Sequence, residues 1–156
     1  MEKMKKTANW NKVEEIGLVY KTTIKASERP VVKSSQEVYN LLLENWDKDT
    51  LDLFEEGKII LLNQANRVLS LFLLSKGGIN GTVMDPRLIF TAALKRGACN
   101  LILSHNHPSG NLKPSKADED LTYKIREAAR FFDIKVIDHI IVSHDGYFSF
   151  ADEGMM

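Results

Sequence analysis

The sequence of 156 residues contains a single cysteine, Cys99. One thiol cannot form an intrachain disulfide, and it cannot supply the thiolates of a multi-cysteine zinc site. Long apolar runs are also missing, since the longest lie around residues 59–62 and 68–74. None approaches the roughly 20 residues that a membrane-spanning helix needs. The sequence therefore argues against a disulfide-stabilised fold, a multi-cysteine zinc site and a membrane partner.

The sequence has no excess charge of either sign, because 21 lysines and arginines balance 21 aspartates and glutamates. Without an overall positive field the composition does not favour nucleic-acid binding, although a local basic patch is compatible with it. Residues 1–15 contain no apolar stretch of the kind that a secretory signal needs. We therefore expect a cytoplasmic, reducing environment.

What the sequence does contain is an ordinary globular balance of 44% apolar and 27% charged residues. Residues 1–30 are predicted to form a polar tail and a first strand over 16–24, and residues 31–156 a single domain. Helices are predicted over 35 to about 46, over 86–96 and from 115 onward, and strands over 55–63, 66–76, 99–105, 134–142 and 147–150. This order predicts an α/β or α+β sandwich around a central sheet.

Two histidines follow an apolar strand. In an extended backbone, His105 and His107 point to the same face, about 7 Å apart along the chain. Both imidazoles can then reach one metal ion at about 2.0–2.1 Å. Pro108 prevents a helix from beginning directly after them, because its ring fixes φ and removes a backbone donor. The pair alone is weak support, since most such histidine pairs are structural.

A possible third ligand lies at the start of the next helix. Ser115 and Asp118 have the spacing of a capping box, which places Asp118 in the first helical turn, where the helix dipole keeps it ionised. By itself this spacing usually marks only a helix cap. Combined with His105 and His107, however, it gives zinc three protein ligands and leaves a fourth position for water, as in catalytic sites. Such a site also needs a nearby carboxylate as general base.

The combined stretch, His-x-His-Pro, six residues and then Ser-x-x-Asp, resembles the JAMM (MPN) metallopeptidase motif and matches it without a gap. More closely, roughly residues 55–154, about two-thirds of the chain, resemble the RadC family of bacterial JAMM-domain proteins. The supporting stretches are KGGINGTVMDPRLIF, LILSHNHPSGNLKPSKAD, IDHIIV and GYFSFADEG. The resemblance implies a cytidine-deaminase-like fold, a three-layer α-β-α sandwich around a mixed sheet.

The resemblance also implies residue roles. It makes His105, His107 and Asp118 ligands of Zn²⁺, and Ser115 a hydroxyl that orients water or stabilises an oxyanion. It further implies a general base at an upstream glutamate.

The register of the motif favours Glu55 as that base, with Glu56 as the alternative, because the pleat of a strand places neighbours on opposite faces. Gly57 stands where phenylalanine is common in the family. A glycine there either weakens the strand or lets another group approach its backbone.

Two functions follow from these residues. The first is a zinc-dependent hydrolase that cleaves a peptide or isopeptide amide bond in a protein substrate. The second is a nucleic-acid-interacting protein associated with DNA repair, without peptidase activity. Longer RadC members carry an N-terminal helix-hairpin-helix that contacts DNA, but before Glu55 this sequence has only one glycine, Gly17, so we do not expect that module there.

Two further readings are not favoured. A zinc nucleoside deaminase needs His-x-Glu and Pro-Cys-x-x-Cys, which a sequence with one cysteine cannot supply. His139, in the strand predicted over 134–142, could orient a metal ligand. We favour the simpler interpretation of a hydrogen-bonded structural histidine.

Overall fold

The structure is a computed structural model, and it describes residue 17 and residues 21–78 and 82–156. These ranges contain three α-helices, which are α1 (Ser35–Glu44), α2 (Pro86–Arg96) and α3 (Lys116–Arg130). They also contain five strands, which are β1 (Glu56–Leu62), β2 (Val68–Lys76), β3 (Asn100–Asn106), β4 (Lys135–Val142) and β5 (Tyr147–Ser149). A single 3-10 turn, Ala26–Glu28, precedes α1.

The strand predicted over 16–24 lies partly outside the described residues, which omit 16 and 18–20. Residues 21–24 are described and do not form a strand, so that part of the prediction is wrong. The Thr22 hydroxyl donates to the Ile24 carbonyl (3.2 Å), and the Ile24 N–H donates back to the hydroxyl (3.4 Å). Such local side-chain hydrogen bonds compete with strand pairing, and they explain why the alternating apolar pattern does not produce a strand at residues 21–24.

The helices begin where side chains cap them. Ser34, Asp85 and Ser115 each accept a hydrogen bond from a backbone N–H of the following turn. Helix α2 ends at Gly97, whose φ of 63° lies in the left-handed region that favours glycine. Within the part of the chain that the structure describes, no helix combines the length and apolar character needed to cross a membrane.

The five strands form one mixed sheet in the order β2-β1-β3-β4-β5. All neighbours are antiparallel except β3 and β4, which are parallel and connected through α3. This connection brings the start of α3 to the carboxyl end of β3. The motif residues on β3 and on α3 therefore meet at one edge of the sheet.

Helices cover both faces of this sheet. Helices α2 and α3 pack on one face, which carries Ile59, Leu61, Leu101 and Leu103. Helix α1 packs on the opposite face, which carries Ile60, Leu62, Ile102 and Ile140. Since both faces are covered, β1 and β3 are buried along their whole length, and the sequence is continuously apolar over 59–62 in β1 and 101–103 in β3. The predicted three-layer α-β-α sandwich is confirmed.

Candidate metal centre

Strand β3 brings the two histidines to its carboxyl end. His105 continues the alternation of Leu101 and Leu103 and so points to the face that carries α3. His107 lies just beyond the strand, where its N–H donates to the Val142 carbonyl at the end of β4 (2.9 Å). The Nε2 atoms of the two imidazoles lie 3.0 Å apart.

Helix α3 brings Asp118 to the same point. Ser115 donates to Asp118 Oδ2 from its backbone N–H (2.7 Å) and from its hydroxyl (2.6 Å), and its Oγ accepts the Asp118 N–H (3.2 Å). The predicted capping box is therefore present. The carboxylate lies with Oδ1 3.2 Å from His105 Nε2 and Oδ2 3.9 Å from His107 Nε2.

These three side chains fit a zinc ion. Tetrahedral zinc with bonds of about 2.0–2.1 Å needs ligand atoms roughly 3.3 Å apart. The two Nε2 atoms lie 3.0 Å apart, and the nearest Asp118 oxygen is 3.2 Å (Oδ1) from His105 Nε2 and 3.9 Å (Oδ2) from His107 Nε2. His107 Nδ1 is hydrogen-bonded to the Asn111 carbonyl, which can only accept. His107 Nδ1 therefore carries the hydrogen and Nε2 presents its lone pair. In the described ranges, no other cluster of histidine, cysteine and acidic side chains has this convergence.

The electrostatics keep Asp118 anionic. Burial of the carboxyl opposes its ionisation, but the contacts with His105 and the hydrogen bonds from Ser115 outweigh burial and hold the pKa of Asp118 well below its usual range. The group is therefore a carboxylate at neutral pH, as a metal ligand must be.

The sheet register separates the two candidate bases. Gly57 pairs with His105, so the pleat places Glu55 on the face of the histidines and Glu56 on the opposite face. Glu56 is 3% exposed and contacts Lys76 Nζ (3.2 Å) and Thr50 Oγ1 (3.2 Å). Glu55 is half-buried, and none of the residues that the structure describes donates a hydrogen bond to its carboxylate. The geometry supports Glu55 over Glu56.

Gly57 marks a close approach of other side chains. A Cβ atom at this position would lie 2.7 Å from Ser75 Oγ and 2.8 Å from Met84 Cγ. Strand β1 nevertheless runs unbroken and buried from Glu56 to Leu62. Of the two explanations for this glycine, close packing against the backbone is therefore the right one.

Sequence reasoning did not single out Thr122, and it favoured a purely structural role for His139, although both residues lie next to the centre. His139 pairs with Leu103 across β3 and β4, so it lies on the face of His105, completely buried and stacked on Phe150 (4.7 Å between ring centroids). Burial, reinforced by the neighbouring His105, lowers the pKa of His139 well below its ordinary value. Thr122 lies one helical turn after Asp118, a spacing visible in the sequence. The contact with His139, in contrast, depends on the register of two strands.

Two of the cavities in the described part of the chain differ in their position relative to the centre. A polar cavity of about 390 Å³ lies next to the histidine loop and is lined by Pro108, Ser109, His144 and Asp145, among others. A larger one, about 780 Å³ and mostly apolar, lies between β2 and α2 and has none of the three converging side chains in its lining. The smaller cavity also has none of these three side chains in its lining, so neither cavity includes the candidate centre.

Comparison with known proteins shows a similarity that covers most of the chain. A model of the RadC-like JAB domain matches residues 32–155. A UPF0758 protein of Flavobacterium johnsoniae is 50% identical over 101 residues, which are 65% of this chain and 44% of that protein. A UPF0758 protein of Rubrobacter xylanophilus is 36% identical over 131 residues, 82% of this chain and 55% of that protein. The chain thus spans about half the length of the curated relatives that it matches.

Proposed function

This chain belongs to the family of RadC-like JAB domains, and from that premise we propose that it is a zinc-dependent hydrolase that cleaves a peptide or isopeptide amide bond with an activated water. The observation that carries the proposal is the convergence of His105 Nε2, His107 Nε2 and the Asp118 carboxylate within 3.0–3.9 Å. Three protein ligands leave one position for water, which is the arrangement of catalytic rather than structural zinc sites.

The residues around this centre supply the remaining roles. When bound, a zinc ion lowers the pKa of a water to about 7 and polarises a substrate carbonyl. Glu55, on the face of the histidines, takes a proton from the attacking water and returns it to the leaving amine. Ser115 is the donor that we assign to the oxyanion: its single hydroxyl hydrogen, which is donated to Asp118 Oδ2 (2.6 Å) in this structure, turns to the oxyanion as that charge forms.

The proposal is tested with purified protein and a library of internally quenched peptides and isopeptide-linked dipeptides. We expect about one zinc per chain, turnover that a chelator abolishes and added zinc restores, and loss of both zinc and turnover in His107→Ala. His144→Ala provides the control, because this imidazole is 74% exposed and should leave the zinc content unchanged.

A wild-type protein that folds but binds no zinc would overturn the proposal. If that metal-free protein also bound DNA in a salt-dependent manner, the result would support the alternative of a nucleic-acid-interacting protein without peptidase activity.

A further inference from the structure

A chain of hydrogen bonds runs behind His105, on the side away from the candidate metal position. His105 Nδ1 lies 2.8 Å from His139 Nε2, and His139 Nδ1 lies 2.6 Å from Thr122 Oγ1. The Thr122 hydroxyl in turn lies 2.6 Å from the main-chain carbonyl oxygen of Asp118. All three side chains are at most 2% exposed, so water does not compete with these bonds.

The end of this chain fixes its direction. Two oxygens 2.6 Å apart need a hydrogen between them, and the Asp118 carbonyl has none to give, so Thr122 donates to it. A hydroxyl has one hydrogen, and therefore Thr122 Oγ1 accepts from His139 Nδ1–H. Neither His139 nitrogen faces a carboxylate, and a fully buried imidazole without one is neutral. Its Nε2 is then an acceptor, and His105 Nδ1 must be the donor.

From this direction we propose that His139 and Thr122 are positioning residues that hold His105 in the Nδ1–H form, so that its Nε2 lone pair faces the metal. The inference rests on the proposed zinc site. The buried chain of hydrogen bonds from Thr122 through His139 to His105, called the relay below, gives His105 its tautomer. His107 obtains the same tautomer from its hydrogen bond to the Asn111 carbonyl. Both histidines then present the same nitrogen to one point.

The group that accepts the hydrogen bond from His105 Nδ1 affects the metal ion as well as the orientation of the His105 imidazole. Metal-bound histidines commonly donate to a carboxylate or carbonyl, and these acceptors raise the basicity of the ligand. For His105 the acceptor is the neutral imidazole of His139, which adds no negative charge. Asp118 is then the only anionic ligand, and the ion retains more of its power to polarise a carbonyl. Asp118 contacts both ends of this arrangement. Its carboxylate contacts His105 Nε2, and its main-chain carbonyl accepts from Thr122, the last residue of the relay that begins at His105 Nδ1.

The relay is tested first on metal-free wild-type protein by ¹⁵N NMR of the histidine side chains. We expect His105 to carry a hydrogen on Nδ1 and His139 to carry its hydrogen on Nδ1 alone. A His105 Nδ1 without a hydrogen would overturn the relay, and this readout requires no variant.

The second test compares Thr122→Val, which removes the hydroxyl at nearly constant volume, with Thr122→Ser, which keeps it. Thr122→Val should bind zinc about 10- to 100-fold more weakly, measured by competition with a chromophoric chelator, and should shift the His105 tautomer. Thr122→Ser should restore both values. A role of Thr122 in packing alone predicts that Val performs at least as well as Ser, and that result would overturn the relay.

The two proposals fail differently. Unchanged zinc affinity and tautomer in Thr122→Val would overturn the relay and leave the hydrolase intact. A wild-type protein without zinc affinity would overturn the hydrolase, and with it the role of the relay in metal binding, whatever the tautomer.

Discussion

Glu56 is the first residue of β1 and Glu55 directly precedes it, and the register places their side chains on opposite faces of the sheet, so their substitutions should have different consequences. Glu55→Gln should lower amide hydrolysis by about 10²- to 10⁴-fold and leave zinc content and stability unchanged. Glu56→Gln should instead lower the free energy of unfolding by about 3 kcal/mol, because it leaves the buried Lys58 ammonium, 3.7 Å away, without its carboxylate. Assays of turnover and urea unfolding separate the two. Lost turnover in a stable Glu56→Gln protein would contradict the assignment.

Gly57 should not tolerate even a methyl group. Gly57→Ala places a Cβ against Ser75 Oγ, which is held by a hydrogen bond from Thr82 (2.7 Å), and against the buried Met84. We expect a loss of about 1–3 kcal/mol in the free energy of unfolding, typical of overpacking. Gly146→Ala is the matched control, since its Cβ would meet only Leu112 at an ordinary 3.6 Å. Equal urea midpoints for the two variants would contradict the close packing described for Gly57.

Asp138 should make stability depend on pH. Burial raises the pKa of its carboxyl, although hydrogen bonds from Ser149, Ala151 and His139 oppose the rise. The folded state therefore binds the proton at higher pH than the unfolded state, so this contribution to stability is present below pH 3.8 and is lost as pH rises through the folded pKa.

The side chain of Asp138→Asn cannot ionise, so this variant should not lose stability at this position as the pH rises. The free energy of unfolding of Asp138→Asn minus that of the wild type should grow as the pH rises from below 3.8 through the pKa of Asp138 in the folded state. Glu153→Gln, which removes an exposed carboxylate, gives the baseline. A difference that shrinks over this range would show that the shift has the opposite sign.

At the scale of elements, the start of α3 both caps a helix and supports a ligand. Ser115→Ala removes the cap bond from the Asp118 N–H and also the hydroxyl contact with the Asp118 carboxylate, whereas Ser34→Ala removes only the cap of α1. Each should cost about 1 kcal/mol of stability. Only Ser115→Ala should also weaken zinc binding, measured by chelator competition. A similar loss of zinc affinity in both variants would indicate a general effect of instability.

Local elements could be predicted from the sequence because single side chains determine them. The capping box predicted at Ser115 is present, Ser34 and Asp85 likewise cap the helices that follow them, and Gly97 ends α2. The spacing of the three candidate ligands was likewise visible, since all lie within fourteen residues (105 to 118) of one another. Pairing between distant strands was not visible. The registers that place Gly57 opposite His105, and His139 opposite Leu103, arise from the packing of the whole sheet.

At the scale of the whole molecule, the candidate centre joins two parts of the sandwich, the end of β3 and the start of α3. An ion that binds there should stabilise the folded state alone. Zinc at about 100 times its dissociation constant should add about 2.7 kcal/mol to the free energy of unfolding. His107→Ala should lose this gain, and His144→Ala should keep it. A gain of the same size in His107→Ala would mean that zinc binds elsewhere.

The central claim is that His105, His107 and Asp118 hold one metal ion, and anomalous diffraction at the zinc edge from crystals of the zinc-loaded protein tests it most directly. The account predicts one strong peak per chain, in bonding contact with His105 Nε2, His107 Nε2 and an Asp118 carboxylate oxygen. It also predicts no peak there in crystals of His107→Ala. A zinc-loaded wild-type crystal without density at this point, or with its peak on other residues, would contradict the account.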